Sequence, residues 1–189
     1  MKKLMIALAT VAMAAGVQAA AWTWTSDTYA AITPGGSDPL SGANIYLFFG
    51  YASSSAANTA KADVLSSLRA GNAISGYSQS ATLDSSGKLA TTEFTGPEGK
   101  QYAFAVILAD DAAGNSYMLQ TGNKNATGSD VGEAALSFDI SSTTLKAIDA
   151  TGSGAGWYMT KEASAVPEPT SGLLMLLGVA GLALRRKRA

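Results

Sequence analysis

The sequence contains no cysteine and no histidine among its 189 residues. The absence of cysteine excludes disulfide bonds, thiolate catalysis and iron–sulfur ligation. The absence of histidine removes the most frequent general base and the most frequent zinc and copper ligand. Charged residues are also scarce, at 14% of the chain against about 25% in average soluble domains. Large classes of enzymes are therefore excluded, and we expect neither a metal site nor a cofactor.

The remaining charges divide the chain into three parts. Lys2 and Lys3 lie at the N-terminus, and a basic cluster occupies residues 185–188. Residues 20–166 between them carry seven basic and thirteen acidic side chains, a net charge of −6 that the total of −1 conceals. This central body also holds all fifteen aromatic residues. Its negative charge would repel phosphate groups, so nucleic acid is not an expected partner.

The N-terminal segment has the pattern of a secretory signal peptide. Lys2 and Lys3 provide the basic start, residues 4–17 form an apolar stretch without charge, and Val17-Gln18-Ala19 is a small-x-Ala cleavage site. We predict cleavage after Ala19, with Ala21 as the alternative position. Residues 1–19 are therefore interpreted as a signal peptide, with signal peptidase and the secretion machinery as partners.

The C-terminal segment combines three adjacent features. The motif Pro167-Glu168-Pro169 is followed by the uncharged, apolar stretch 170–184 and then by the basic residues Arg185, Arg186, Lys187 and Arg188. The two prolines favour an extended backbone around Glu168 and keep it outside the following helix. A helix over 170–184 would be roughly 22 Å long, whereas a bilayer core is about 30 Å thick. Snorkelling of the basic side chains and thinning of the bilayer make up the difference.

These three features together resemble the PEP-CTERM sorting signal of exported proteins in Gram-negative bacteria. The resemblance is confined to the C-terminal segment and implies processing by exosortase, a membrane-embedded, transpeptidase-like enzyme. It implies that Pro167, Glu168 and Pro169 are the recognition element, that the helix retains the chain in the membrane, and that the basic residues are the stop. It implies nothing about the activity of the body.

The two ends of the chain predict the same membrane topology. Basic residues stay on the cytoplasmic side of a membrane, so both ends place the body outside the cytoplasm. We accordingly divide the chain into a signal peptide, a β-rich extracytoplasmic domain, a linker with the PEP motif, a hydrophobic membrane helix and a basic cytoplasmic tail. Their respective boundaries are 1–19, 20–162, 163–169, 170–184 and 185–189.

The body is predicted to be mainly β-structure. Apolar and polar residues alternate over Ala134–Ile140, as expected of a half-buried strand. Tyr102–Leu108 is almost continuously apolar, which indicates a strand covered on both faces. Residues 110–115 predict a hairpin loop into a strand at 116–120, and residues 84–87 predict a similar hairpin between strands at 77–83 and 88–94. Further strands are predicted at 22–25, 44–49 and 156–160.

One segment has helical periodicity instead. Apolar residues recur at helical spacing between Ala57 and Leu68, with serines at 53–55 available as an N-cap and Gly71 beyond the end. We therefore predict a short helix over about 56–70. Short strands, tight turns and one helix predict an antiparallel β-sandwich or a barrel-like domain.

Candidate sites within the body are weak. The segment Asn123–Gly128 resembles the start of a calcium loop, but its twelfth position is Ala134 instead of glutamate, so we interpret it as a polar hairpin loop. The adjacent carboxylates Asp110 and Asp111 resemble an acid–base pair and are interpreted as a solvated turn. Asn125-Ala126-Thr127 fits the N-glycosylation pattern, which carries little weight in a bacterial protein.

The aromatic residues support one alternative function. Three tryptophans and six tyrosines could form a stacking platform for sugars, although aromatic residues in strands usually pack in the core. They are Trp22, Trp24, Trp157, Tyr46, Tyr51, Tyr77, Tyr102, Tyr117 and Tyr158. The leading hypothesis is an exported, non-enzymatic protein of the cell envelope or extracellular matrix. The alternatives are a module that binds glycan or exopolysaccharide, an unprocessed membrane-anchored protein, and a hydrolase with facing carboxylates.

Overall fold

The computed structural model describes residues 19–129, 132–140 and 155–162. They form nine strands and one helix, listed here in chain order. The elements are β1 (Ala19–Ser26), β2 (Asn44–Tyr51), α1 (Ser54–Arg69), β3 (Gln79–Thr82), β4 (Thr92–Pro97), β5 (Gly99–Asp110), β6 (Ser116–Gln120), β7 (Lys124–Gly128), β8 (Glu133–Phe138) and β9 (Gly156–Lys161). The predicted mainly β body with one helix is confirmed. The predicted signal helix and membrane helix lie outside the described residues.

The strands form two sheets. The smaller sheet has the order β4-β1-β8, and the larger sheet has the order β3-β2-β5-β6-β9, with β7 paired to the first part of β5. Pairing is antiparallel except between β1 and β8, which run parallel. The predicted antiparallel pairing is therefore confirmed for all but one pair.

The two sheets enclose the main hydrophobic cluster. On β1, Trp22 and Trp24 point inward, and they meet Leu136 and Phe138 of β8 and the inward side chains of the larger sheet. The period of two that places one face of each strand in this cluster is the pattern predicted for Ala134–Ile140. Ala134, Leu136, Phe138 and Ile140 are all buried. The two sheets thus form a sandwich.

A second cluster lies on the other face of the larger sheet, where α1 covers it. Phe48, Phe104, Val106, Met118 and Tyr158 of the sheet pack against Ala57 and Leu65 of the helix in this cluster. β5 contributes to both clusters, because Ala105 and Ile107 face the smaller sheet while Phe104 and Val106 face the helix. The prediction that this strand is covered on both faces is confirmed.

The helix begins two residues before the predicted start. Ser53 is the N-cap, and its hydroxyl oxygen accepts a hydrogen bond from the backbone N–H of Ala56 at 3.1 Å. Gly71 follows the last turn with a φ of 82°, a conformation that suits glycine. Hydrogen bonds to other parts of the domain hold both ends of the helix. Asn123 Nδ2 donates to Asn58 Oδ1 at 2.8 Å, and Arg69 Nε donates to the Met159 carbonyl at 3.2 Å.

Two predictions from the sequence are wrong. Residues 84–87 do not close a hairpin, because β3 pairs with β2 in the larger sheet and β4 pairs with β1 in the smaller one. The chain crosses between sheets here, and Leu83 and Leu89 on either side of the turn are buried in the main cluster. The segment Asn123–Gly128 is not a loop, since Lys124–Gly128 forms β7 against β5.

Candidate functional site

The residues with the clearest predicted role lie beyond the described domain. β9 ends at Lys161, and Glu162 is the last described residue. The sorting residues Pro167, Glu168 and Pro169, the hydrophobic stretch 170–184 and the basic cluster 185–188 all lie outside the described residues. Among residues 19–129, 132–140 and 155–162, no helix has the length and apolar character needed to cross a bilayer.

The N-terminal boundary of the fold lies close to the predicted cleavage site. β1 begins at Ala19, and Ala20 is 1% exposed and pairs with Gly96 of β4. Cleavage after Ala19 would keep Ala20 in the core, whereas cleavage after Ala21 would remove it. The cleavage position itself stays a prediction.

The three tryptophans are core residues and do not form a sugar platform. Trp22 and Trp24 are fully buried and Trp157 is 1% exposed. The Trp22 ring packs edge-on against Phe49 with ring centroids 4.6 Å apart, and its Nε1 donates to the Pro97 carbonyl at 3.2 Å. Their burial follows from the alternation of β1 and β9, which directs every tryptophan toward the facing sheet.

The tyrosines divide into buried and accessible residues. Tyr117 and Tyr158 are buried, and Tyr51 stacks on Phe104 beside α1. Tyr29 and Tyr77 are the large apolar side chains most exposed in the described part of the chain, at 55% and 41%. Tyr29 was not among the candidate aromatic residues named from the sequence.

Tyr77 belongs to a small surface cluster at the edge of the larger sheet. Its ring lies 4.9 Å from the ring of Tyr46, at an angle of 57°. Because Tyr46 pairs with Ser80 and Asn44 pairs with Thr82, these four side chains lie on one face of β2 and β3. We call Asn44, Tyr46, Tyr77, Ser80 and Thr82 the tyrosine patch. It lies on the face of the sheet that α1 covers farther along.

The carboxylate pair predicted as a solvated turn lies at the β5–β6 hairpin. Asp111 Oδ1 accepts hydrogen bonds from the backbone N–H groups of Ala113 and Asn115, both at 2.9 Å, and Oδ2 accepts from Asn115 Nδ2 at 3.0 Å. These bonds, above all the one from the Asn115 side chain, hold the pKa of Asp111 below its usual value. Asp110 accepts instead from the Ser116 hydroxyl at 2.6 Å. The pair therefore stabilises the hairpin.

The turn at residues 84–88 uses the same construction. Asp84 Oδ1 accepts from the backbone N–H groups of Ser86 and Lys88 at 2.8 and 3.0 Å, and from the Ser86 hydroxyl at 2.7 Å. The hydrogen bond from the Ser86 side chain is the main cause of the lowered pKa of Asp84. Both turns have the pattern Asp-x-x-Gly, with Gly87 and Gly114 at positive φ. The shared pattern is readable in the sequence.

Three clefts in the described residues contain few groups that could act as acids, bases or ligands. One of about 210 Å³ lies between α1 and the following loop, and one of about 290 Å³ lies at the end of α1. A third, of about 430 Å³, lies beside Asn123 and Lys124. Each contains a single carboxylate, which is Asp63, Asp110 and Asp139 respectively. Within the described ranges, no group of three carboxylates is placed to hold a metal ion.

Sequence reasoning missed one buried charge. Lys61 lies between Ala57 and Leu65 on the buried face of α1 and is 1% exposed. Its Nζ lies 5.5 Å from the centroid of the Phe104 ring. Burial lowers the pKa of Lys61 to about 8. Residues 57, 61 and 65 are four apart and therefore lie on one face of the helix. This spacing could have predicted that Lys61 is buried.

Residues 165–188 match the family model of the PEP-CTERM protein-sorting motif. The chain ends in a PEP-CTERM sorting motif. This confirms the resemblance carried by Pro167, Glu168 and Pro169, and the motif implies exosortase as the processing partner of an exported, envelope-associated protein. No curated protein and no solved structure matches the chain. The motif covers the C-terminal segment alone, so the role of the β domain is argued from its own geometry.

Proposed function

We propose that this protein is a non-catalytic component of the cell envelope or extracellular matrix, exported by its signal peptide and sorted by its PEP-CTERM motif. The match of residues 165–188 to the sorting motif carries the proposal. In this proposal, Pro167, Glu168 and Pro169 are recognised by exosortase. Residues 170–184 hold the chain in the inner membrane until processing, and the basic cluster 185–188 stays on the cytoplasmic side.

The position of β9 is compatible with cleavage of the chain beyond the described domain. Trp157 and Tyr158 of β9 are both buried, and the described fold ends four residues after Tyr158, at Glu162. Cleavage anywhere beyond Glu162 would therefore remove no described core residue. Four residues separate Glu162 from Pro167, so the two Cα atoms lie at most about 18 Å apart. Exosortase would thus act on a short tether next to a folded domain.

Three clefts of the described domain lack the paired carboxylates that hydrolysis would need. Hydrolysis by a carboxylate pair needs two carboxyl groups facing one cleft, about 5–10 Å apart. Each of the three clefts named above contains a single carboxylate. The adjacent pair Asp110 and Asp111 is engaged in hydrogen bonds within its own turn.

A matched pair of glutamate variants tests the sorting proposal. Glu168 lies in the motif, whereas Glu162 is an exposed residue at the end of the described domain. In the native cell, Glu168→Gln is expected to leave the chain unprocessed and retained in the membrane, while Glu162→Gln is processed normally. Intact-mass measurement and cell fractionation check both variants, and proteolytic resistance of the domain confirms that each is folded.

Deletion of residues 185–188 tests the topology separately. Without the basic cluster, no positive charge keeps the C-terminal end of the hydrophobic stretch on the cytoplasmic side. The chain is therefore expected to be mis-sorted. Wild-type mass and location for both the deletion and Glu168→Gln would refute the sorting proposal. A wild-type chain that keeps residues 170–189 at its final location would instead establish the unprocessed membrane anchor.

A further inference from the structure

The tyrosine patch combines an exposed aromatic ring with a fixed position. Tyr77 lies in the loop between α1 and β3, and its ring packs against Tyr46. Tyr46 is half-buried and packs in turn against the cluster beneath α1. The loop therefore presents a ring that is 41% exposed yet held from one side. An aromatic ring held in this way offers a large apolar surface at low entropic cost to a ligand that packs on it.

Most polar groups around the ring have no hydrogen-bond partner within the described part of the chain. Thr82 Oγ1 donates to Asn44 Oδ1 at 3.3 Å, which leaves the Asn44 amide N–H groups without a protein partner in the described part of the chain. The hydroxyl of Ser80 and those of both tyrosines also have no partner among these residues. Each hydroxyl both donates and accepts, and the amide donates. The patch thus presents several hydrogen-bonding groups beside one apolar ring.

The two chain segments that form the patch contain no charged residue. Residues 39–60, which contain β2, and residues 70–83, which contain Tyr77 and β3, include no aspartate, glutamate, lysine or arginine. These two uncharged segments meet here, in a body whose net charge is −6. A charged ligand would find no opposite charge on these segments. A neutral ligand rich in hydroxyl groups matches both the free hydrogen-bonding groups and the lack of charge.

The patch opens toward solvent at the edge of the sheet. Val106, Tyr46 and Ser80 are neighbours across three strands, and their exposure increases in this order, from buried to half-buried to exposed. The helix covers the inner end of the row through the cluster that contains Val106. A long chain molecule can therefore lie along the outer end without displacing the helix.

We propose that the tyrosine patch binds a neutral polysaccharide, with one sugar ring packed on Tyr77 and sugar hydroxyls bound by Asn44 and Ser80. This inference deepens the proposed function, because it names what an exported domain would bind outside the cell. A second copy of the chain could instead pair with the free edge of β3. That edge is only four residues long, which disfavours stable strand addition.

Affinity electrophoresis of the full chain tests the proposal. The protein is kept soluble in a detergent without a sugar headgroup and run through gels containing dextran, xyloglucan or galactomannan, with the anionic polysaccharide alginate as the charge control. We expect retardation by at least one neutral polysaccharide and none by alginate. Tyr77→Ala should weaken binding about tenfold or more, because the ring supplies most of the apolar contact. Tyr77→Phe should retain most of the binding.

Tyr29→Ala is the matched control, since Tyr29 is more exposed than Tyr77 and is not part of the patch. Its retardation should equal that of the wild type. No retardation by any neutral polysaccharide, or equal retardation of wild type and Tyr77→Ala, would overturn the proposal. A dimer in sedimentation velocity that Ser80→Pro dissociates, together with no retardation, would assign the edge to self-association. Glu168→Gln leaves the patch intact, so failure of sorting and failure of binding are separate results.

Discussion

Trp157 and Tyr158 are adjacent residues of β9 that are buried in different hydrophobic clusters. Trp157 lies between the two sheets, and Tyr158 lies beneath α1. Successive side chains of a strand point to opposite faces, so one dipeptide at the end of the domain connects all three layers. The last described strand is thus an integral part of the fold.

Loss of either β9 side chain is expected to destabilise the domain strongly. Trp157→Ala and Tyr158→Ala should each lower the free energy of unfolding by about 3–5 kcal/mol, because each leaves a cavity in a packed cluster. Urea unfolding followed by tryptophan fluorescence and circular dichroism measures this change. Tyr158→Phe is the control, since the buried Tyr158 hydroxyl has no hydrogen-bond partner among the described residues. Equal losses for Phe and Ala at position 158 would contradict this account.

A side chain at position 128 is expected to destabilise the domain. A Cβ at this position would lie 2.5 Å from Cζ2 of the buried Trp22 ring and 2.9 Å from Cβ of Ala20. Gly128→Ala should therefore cost about 1–3 kcal/mol through overpacking. Gly122→Ala is the matched control, because a Cβ there meets no atom within 4 Å, and its effect should stay within about 0.5 kcal/mol. Similar unfolding midpoints for the two variants would disprove the close contact.

Asp111 is expected to stabilise the folded chain at neutral pH and to lose this effect at acid pH. The pKa of Asp111 is lower in the folded chain than its unfolded value of 3.8. Its contribution is therefore fully present above pH 3.8 and is lost as the pH falls through the folded pKa. Asp111→Asn should be less stable than wild type at pH 7, and the difference should shrink toward pH 2. Asp38→Asn, at an exposed site, is the matched control for the loss of one carboxylate. A constant difference for Asp111→Asn from pH 7 to 2 would contradict the prediction.

Lys61 is expected to destabilise the folded chain at neutral pH and to stop doing so at alkaline pH. Its pKa falls from 10.5 to about 8 on folding, so burial of the ammonium group costs stability most below pH 8. Lys61→Met should raise the free energy of unfolding at pH 7, and this gain should decrease as the pH rises from 8 to 10.5. Lys100→Met is the control, because Lys100 is exposed and lies over the Tyr102 ring at 5.3 Å. A gain at Lys61 that is independent of pH would show that the amine is not the cause.

The elements that the sequence predicted well are those with a complete local pattern. β8 has a strict alternation, the central part of β5 is continuously apolar, and α1 has helical spacing with Ser53 and Gly71 at its ends. Each pattern repeats over several residues of one segment, so no knowledge of a partner is needed. β7 was not predicted because its sequence, Lys-Asn-Ala-Thr-Gly, has little apolar character. It is a strand because it pairs with β5.

The sequence by itself determined that the chain ends in a sorting motif and that its body is β-rich, because charge order, proline placement and side-chain period are local properties. Only the tertiary structure decided that β1 pairs in parallel with β8 and that residues 84–87 cross between sheets. It also decided that the tryptophans are core residues while Tyr77 is exposed. Strand partners and burial depend on contacts between residues far apart in the chain, and no single segment encodes them.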